Sequence, residues 1–205
     1  MILIGQYDSP FVRRVGVAMR LDGLNFEHRP WSAFGEARIA QYNPLRRVPT
    51  LVLDDGEVVI ESWAILDYLD ERAGAKALIP ERGEERRKVL KVCALTTGLA
   101  DKAVSLVYER VLHEETSRAW TERCSLQVGA VLDALEVDRA ARETPYWFGP
   151  TIGHADIAVT CAVGFARAAH PDLIGDAWPA LTHHADRCEQ LEAFKACFQA
   201  FIPPT

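Results

Sequence analysis

At 205 residues the chain is long enough to bury a substantial core, as one large domain or two small ones. Its composition, 49% apolar and 25% charged, is that of a globular protein. A formal charge of −6, with Arg86-Arg87-Lys88 directly behind Glu84-Glu85, argues against a nucleic-acid surface. The five cysteines are odd in number and lack paired metal or redox spacing, which predicts reduced thiols and a cytoplasmic setting. Met1-Ile2-Leu3-Ile4 is too short an apolar run for a signal peptide. The most apolar stretch, 155–166, is too short for a bilayer span and carries Asp156.

In chain order, Met1 to Gln6 predicts a strand. Ser9-Pro10 then opens a helix with Phe11, Val15, Val17, Ala18 and Leu21 inward, stopped by Gly23. Phe26 to Pro30 predicts a second strand, and Glu36 to Gln41 a short polar helix. The segment Asn43-Pro44-Leu45-Arg46-Arg47-Val48-Pro49-Thr50-Leu51 is a proline-closed loop running into a strand. At Val48-Pro49 a cis peptide would force a tight turn and present backbone groups to a ligand. Asp55-Gly56 between β-branched runs predicts a hairpin. Glu61-Ser62 opens a helix to Ala73, closed by Gly74, with Ile65, Leu66 and Leu69 inward. A serine at a helix start, with free N–H groups around it, is a carboxylate site. Loop, hairpin and serine together describe a cradle for a small, peptide-like anion.

Beyond Pro80 the strand signal ends. Val89, Val92, Leu95, Leu99, Ala103 and Leu106 keep helical spacing, as do Cys124, Val128, Val131, Leu132 and Leu135. Residues 153–169 are apolar almost all round, the mark of a helix buried on every side, and Leu181, Ala185, Cys188 and Leu191 form a further stripe. The expected architecture is an α/β domain over residues 1–79, a linker at 80–84 and an all-helical domain over 85–205.

Three motifs carry a family resemblance: Ser9-Pro10-Phe11-Val12-Arg13 after the first strand, Asn43-Pro44 to Val48-Pro49-Thr50-Leu51, and Glu61-Ser62 with Ile65, Tyr68 and Leu69. With them the chain resembles the cytosolic glutathione S-transferases, specifically bacterial members with serine after the first strand. The resemblance implies a thioredoxin-like N-terminal domain and a helical C-terminal domain. It also implies glutathione as co-substrate, no prosthetic group and no metal, a small hydrophobic electrophile as second substrate, and a homodimer without nucleic-acid or membrane partners.

The same resemblance assigns roles. Ser9 would be the catalytic residue, its hydroxyl donating to the glutathione sulfur; read alone, Ser-Pro is also a good helix start. The Val48 backbone would pair with the cysteinyl part beside a cis Pro49. Glu61 and Ser62 would hold the γ-glutamyl end, and Arg47 would reach the glycyl carboxylate or stay solvated. Phe11, Asp101 and Tyr108 are candidate contacts to the second substrate or from the partner side. Those two helix residues, and Arg110 beside them, also suit a solvated face. Asp156 is expected to serve the fold, with the reciprocal half of its capping box missing at Gly153. The adjacent His183 and His184 point to different helix faces and are not expected to hold a metal. Ser9-Pro10-Phe11-Val12 stands where redox relatives carry Cys-x-x-Cys, so disulfide exchange is not expected. The competing readings are a non-catalytic regulatory protein of the starvation-response kind and a glutathione-dependent isomerase or dehalogenase. Ser9 argues against the first, and Asp8-Ser9-Pro10 does not match the Ser-Ser-Cys style of the zeta-type isomerases.

Overall fold

Four strands, β1 (Ile2–Ile4), β2 (Glu27–Arg29), β3 (Thr50–Val52) and β4 (Val58–Ile60), pair in the order β2-β1-β3-β4. This is seen in a computed structural model that describes residues 1–204. β1 runs parallel to β2 and antiparallel to β3, opposing Leu3 to Leu51, and β3 and β4 form the hairpin around Asp55-Gly56. The first two strands are shorter than the sequence predicts. β1 stops at Ile4 because Gly5 takes φ 132° and leaves the ladder.

Two helices flank the sheet in the first half, α1 (Pro10–Leu21) and α2 (Ser62–Ala73), with a 3₁₀ turn at Ala37–Gln41. The second half is helical throughout: α3 (Gly83–Leu112), α4 (Arg118–Ala140), α5 (His154–Ala169), α6 (Pro171–Ile174), α7 (Pro179–Glu189) and α8 (Glu192–Lys195). This is a thioredoxin-like mixed sheet followed by an all-α region. None of the described helices is long and apolar enough to cross a membrane.

α1 corrects the amphipathic stripe expected of it. Nine of its twelve residues are buried, while Phe11 and Leu21 are only partly so. The reason is its position: sheet residues Leu3 and Leu51 cover one side, and Ile157 and Cys161 of α5 join the same apolar cluster from the other. One core therefore runs from the sheet through α1 into the helical region, and Arg13 and Arg14 have no free face to reach, whereas Arg20 in the last turn is exposed. Arg13 is accommodated by a bidentate pair with Glu189 at 2.7 and 2.6 Å and by the Cys197 carbonyl at 3.0 Å.

α5 is buried at thirteen of its sixteen residues, as its sequence predicts. Asp156 anchors its start, accepting from the Gly153 and Trp147 N–H groups at 2.8 and 2.7 Å and lying 3.1 Å from His184 Nε2. Gly153 has no side chain with which to return the bond, so only half of a capping box exists. A Cβ there would stand 2.8 Å from the Leu78 carbonyl oxygen, and that crowding explains the glycine.

Candidate active site

The site is built where three loops converge, and Gly5 sets their spacing. A Cβ on Gly5 would come within 2.5 Å of Val12 Cγ2 and 2.8 Å of Val48 Cβ. Only glycine lets the end of β1, the first turn of α1 and the Val48 loop close together, and its positive φ adds to the restriction. Ser9 caps α1 in extended backbone with Pro10 behind it, its hydroxyl oxygen accepting from the Val12 N–H at 3.4 Å. That long bond occupies one lone pair and leaves the hydroxyl proton to donate into the cleft, at the positive end of a twelve-residue helix.

Tyr7, two residues earlier, is a second hydroxyl in the same turn, and it points the other way. It is buried, stacked on His28 at 3.9 Å, and packed against the Cα of Gly16, where an added Cβ would meet its ring at 2.5 Å. Burial pushes its pKa far up, so it stays protonated in the core. Ser9 is thus the hydroxyl of this turn that faces the cavity.

Asn43 organises the second loop. It is buried, accepts from the Leu45 N–H at 3.0 Å and donates to the Arg47 carbonyl at 2.9 Å. Arg46, where the resemblance leads one to look for glycine, takes the left-handed conformation at φ 52°. The Val48-Pro49 bond is cis. Arg47 is largely exposed and pairs with Glu61 at 3.2 Å. Glu61 also has a positive φ, 70°, and supplies no side-chain cap to α2. Ser62 behind it is buried, and its hydroxyl accepts from Arg14 Nη2 at 2.7 Å.

A cavity of about 790 Å³ lies between the sheet domain and α3. Ser9, Phe11, Arg47, Val48, Asp101 and Tyr108 all line it; Pro49, Glu61 and Ser62 stand outside its lining. Asp101 is ion-paired with Lys102 at 2.9 Å. Burial raises the Tyr108 pKa, and its ring meets Phe34 edge-on at 4.9 Å across the cavity mouth. Arg110 does not face the cavity, because its guanidinium donates to the Ala169 carbonyl at the end of α5.

Several lining residues escape sequence reasoning. Trp31 and Phe34 sit in an irregular loop, and Phe201 and Ile202 return from the far end of the chain. The Ile202 N–H donates to Asp8 at 3.3 Å, and Phe201 packs edge-on against Phe165 at 5.5 Å. Burial raises the Asp8 pKa, partly opposed by backbone N–H groups. Trp31 is covered by the Arg38 guanidinium at 4.4 Å. No local periodicity signals any of these.

None of the cysteines lines the cavity, and burial pushes Cys93 and Cys188 up to about 11 and Cys161 to about 12. They are therefore poor nucleophiles. No group of three His, Cys, Asp or Glu side chains suited to a metal occurs among the described residues. A wider hollow of about 1330 Å³ runs along α2, the start of α3 and the 148–156 loop, but it contains none of the predicted site residues. The chemistry available in the smaller cavity is hydrogen-bond donation from a helix-terminal hydroxyl to an anion, beside an aromatic wall.

Comparison with known proteins agrees with this geometry. The description of the glutathione S-transferase N-terminal domain matches residues 3–77, and that of the C-terminal domain matches residues 118–187. An uncharacterised GST-like protein of Escherichia coli K12, YibF, is 33% identical over 80% of this chain and 81% of its own length. A maleylacetoacetate isomerase of Pseudomonas aeruginosa is 31% identical over 100% of this chain and 99% of its own. Among solved structures, a glutathione S-transferase of Methylobacterium radiotolerans in complex with glutathione sulfonate superposes with a TM-score of 0.92 at 26% identity. It covers 100% of this chain and 97% of its own. One from Methylobacillus flagellatus with glutathione bound reaches 0.88 at 28% identity, covering 96% and 98%. On full-length identity above 30% and on matches to both domains, the chain belongs to the glutathione S-transferase family.

Proposed function

We propose that the protein binds glutathione along the first loops, stabilises its thiolate at Ser9 and transfers it to a small hydrophobic electrophile in the cavity. The observation that carries the reading is Ser9 itself: a helix-terminal hydroxyl with an uncommitted proton, lining one cavity with Val48 and an aromatic wall. The solved relatives holding glutathione sulfonate and glutathione support the same co-substrate. In this reading Val48 and Pro49 align the cysteinyl portion, Glu61 and Ser62 hold the γ-glutamyl end, and Arg47 meets the glycyl carboxylate. Phe11, Tyr108 and Asp101 border the second substrate. Catalysis then consists of thiolate stabilisation and proximity. The protein acts as a cytoplasmic homodimer, with residues 1–79 as glutathione domain, 80–84 as linker and 85–205 as helical domain.

The test is conjugation of glutathione to an electron-poor aryl halide, followed spectroscopically with wild type and Ser9→Ala. Turnover above the uncatalysed rate that collapses in Ser9→Ala supports the reading; no turnover with either protein contradicts it.

A second reading, glutathione-dependent isomerisation, is favoured by the full-length similarity to the Pseudomonas aeruginosa maleylacetoacetate isomerase. Pro10 and Phe11, which follow Ser9, line the same cavity. Isomerisation of maleylacetoacetate without net consumption of glutathione would establish this second reading.

A further inference from the structure

Arg14 is the buried charge that the reaction described above does not use. It is 5% exposed, deep on α1, and its guanidinium meets only neutral acceptors: Ser62 Oγ at 2.7 Å and Thr97 Oγ1 at 3.1 Å. Its Nε–H is buried with no partner. Its neighbour Arg13, as deeply buried, has Glu189. The other buried charged side chains are also matched: Asp156 lies beside His184, and Glu109 beside His113 and the Ser117 N–H. Glu61, the carboxylate nearest in effect to Arg14, is engaged by Arg47. The thiols around Arg14, Cys93 and Cys161, are held neutral by burial. A cation removed from water without an anion is costly, and burial accordingly lowers the Arg14 pKa.

The direction of its bonds indicates what it serves. Thr97 donates its own proton to the Cys93 carbonyl at 2.6 Å, so it offers Arg14 only a lone pair. Ser62 likewise gives Arg14 a lone pair, which leaves its hydroxyl proton free to donate elsewhere. Ser62 is the first residue of α2, whose opening N–H groups receive no side-chain cap from Glu61. A buried cation, a hydroxyl with a free proton and helix-start amides without a side-chain cap thus lie together at the head of a twelve-residue helix.

The geometry points to Arg14 as the positioning residue for the α-carboxylate of the γ-glutamyl group: it supplies the missing counter-charge from beneath Ser62 and fixes that hydroxyl as a donor. This inference rests on the glutathione-binding reading and deepens it, since the free protein holds an uncompensated cation that the ligand neutralises. It separates α-amino acid ends from simple amides: a γ-glutamyl thiol binds, and the same peptide lacking that carboxylate does not.

The test compares glutathione with 4-aminobutyryl-cysteinylglycine, which lacks only the α-carboxylate, by calorimetric titration of wild type, Arg14→Met and Arg14→Gln. Wild type is expected to prefer glutathione by about tenfold or more, and both variants to lose that preference, binding the two ligands alike. Without ligand, the Met variant is expected to unfold at or above the wild-type temperature, because an unpaired buried cation has been replaced by an apolar side chain. The inference is overturned if the variants keep the preference, if they weaken both ligands equally, or if neither variant folds. Wild type that binds no glutathione at all would instead overturn the glutathione-binding reading on which the inference stands.

Discussion

A hydroxyl at the head of a helix has two lone pairs and one proton, and Ser9 spends a single lone pair on the protein. The free thiol of a cysteine titrates near about 8.5, so bringing it near neutrality needs about 2–3 kcal/mol of selective thiolate stabilisation. One hydrogen bond to a charged acceptor supplies about 1.5–3 kcal/mol, and the helix terminus adds up to about 1 kcal/mol. The sums match without further groups. Ser9→Ala is therefore expected to lower turnover at neutral pH by roughly 10- to 100-fold. The same change removes a helix cap and lowers stability by only about 1 kcal/mol, so steady-state rates and thermal unfolding read the two effects separately. Tyr7→Phe, by contrast, removes a buried hydroxyl with no partner. It is expected to leave turnover unchanged and stability equal or slightly higher, checked by the same pair of measurements.

At the scale of elements, Gly153 carries a constraint that a capping rule alone misjudges. Placing serine at position 153 completes a capping box on paper, a gain of about 1 kcal/mol. The added Cβ would press on the Leu78 carbonyl at 2.8 Å, and that oxygen already accepts from the His154 N–H at 3.0 Å. Gly153→Ser is expected to destabilise by about 1–3 kcal/mol by chemical denaturation. Stabilisation would show that the backbone can yield. Asp156→Ala should cost more, about 3 kcal/mol or beyond, because two buried N–H groups and His184 lose their acceptor together. The half-box is stronger than its sequence suggests, since Asp156 reaches back to Trp147 as well as to Gly153. Element starts and stops were legible from Ser9-Pro10, Gly23, Asp55-Gly56 and Gly74, each of which has a local physical cause. The burial of α1 was not, because a second layer of helix covers the face that local patterning assigns to solvent.

Across the whole molecule, the candidate site was legible where it is made of backbone-defining residues and hidden where it depends on packing between distant segments. The cis Val48-Pro49 turn and the helix start at Ser9-Pro10 could be read directly. Arg14, Trp31 and the returning Phe201-Ile202 segment could not, since their placement follows from the packing of α1 against α3 and the return of the C-terminal segment to the cavity. That shared core also sets the pH response. Burial lowers the pKa of His28 and His170, whose rings bond the Gly5 and Ala103 carbonyls. Their folded-state stability is present above the unfolded value of about 6.5 and is lost as pH falls through the lower folded values. Asp8 and Asp22, raised by burial, act in the opposite sense but in the carboxylate range, near about pH 4. Thermal unfolding is thus expected to weaken between about pH 7 and pH 5, with a shallower decline in His170→Gln. In the proposed function this fold ionises glutathione through Ser9. The most direct test is the ultraviolet absorbance of the bound thiolate titrated against pH. A thiol pKa about two units below the free value is expected in wild type, returning toward about 8.5 in Ser9→Ala. Glutathione bound with an unshifted pKa, or a shift that survives Ser9→Ala, would contradict it.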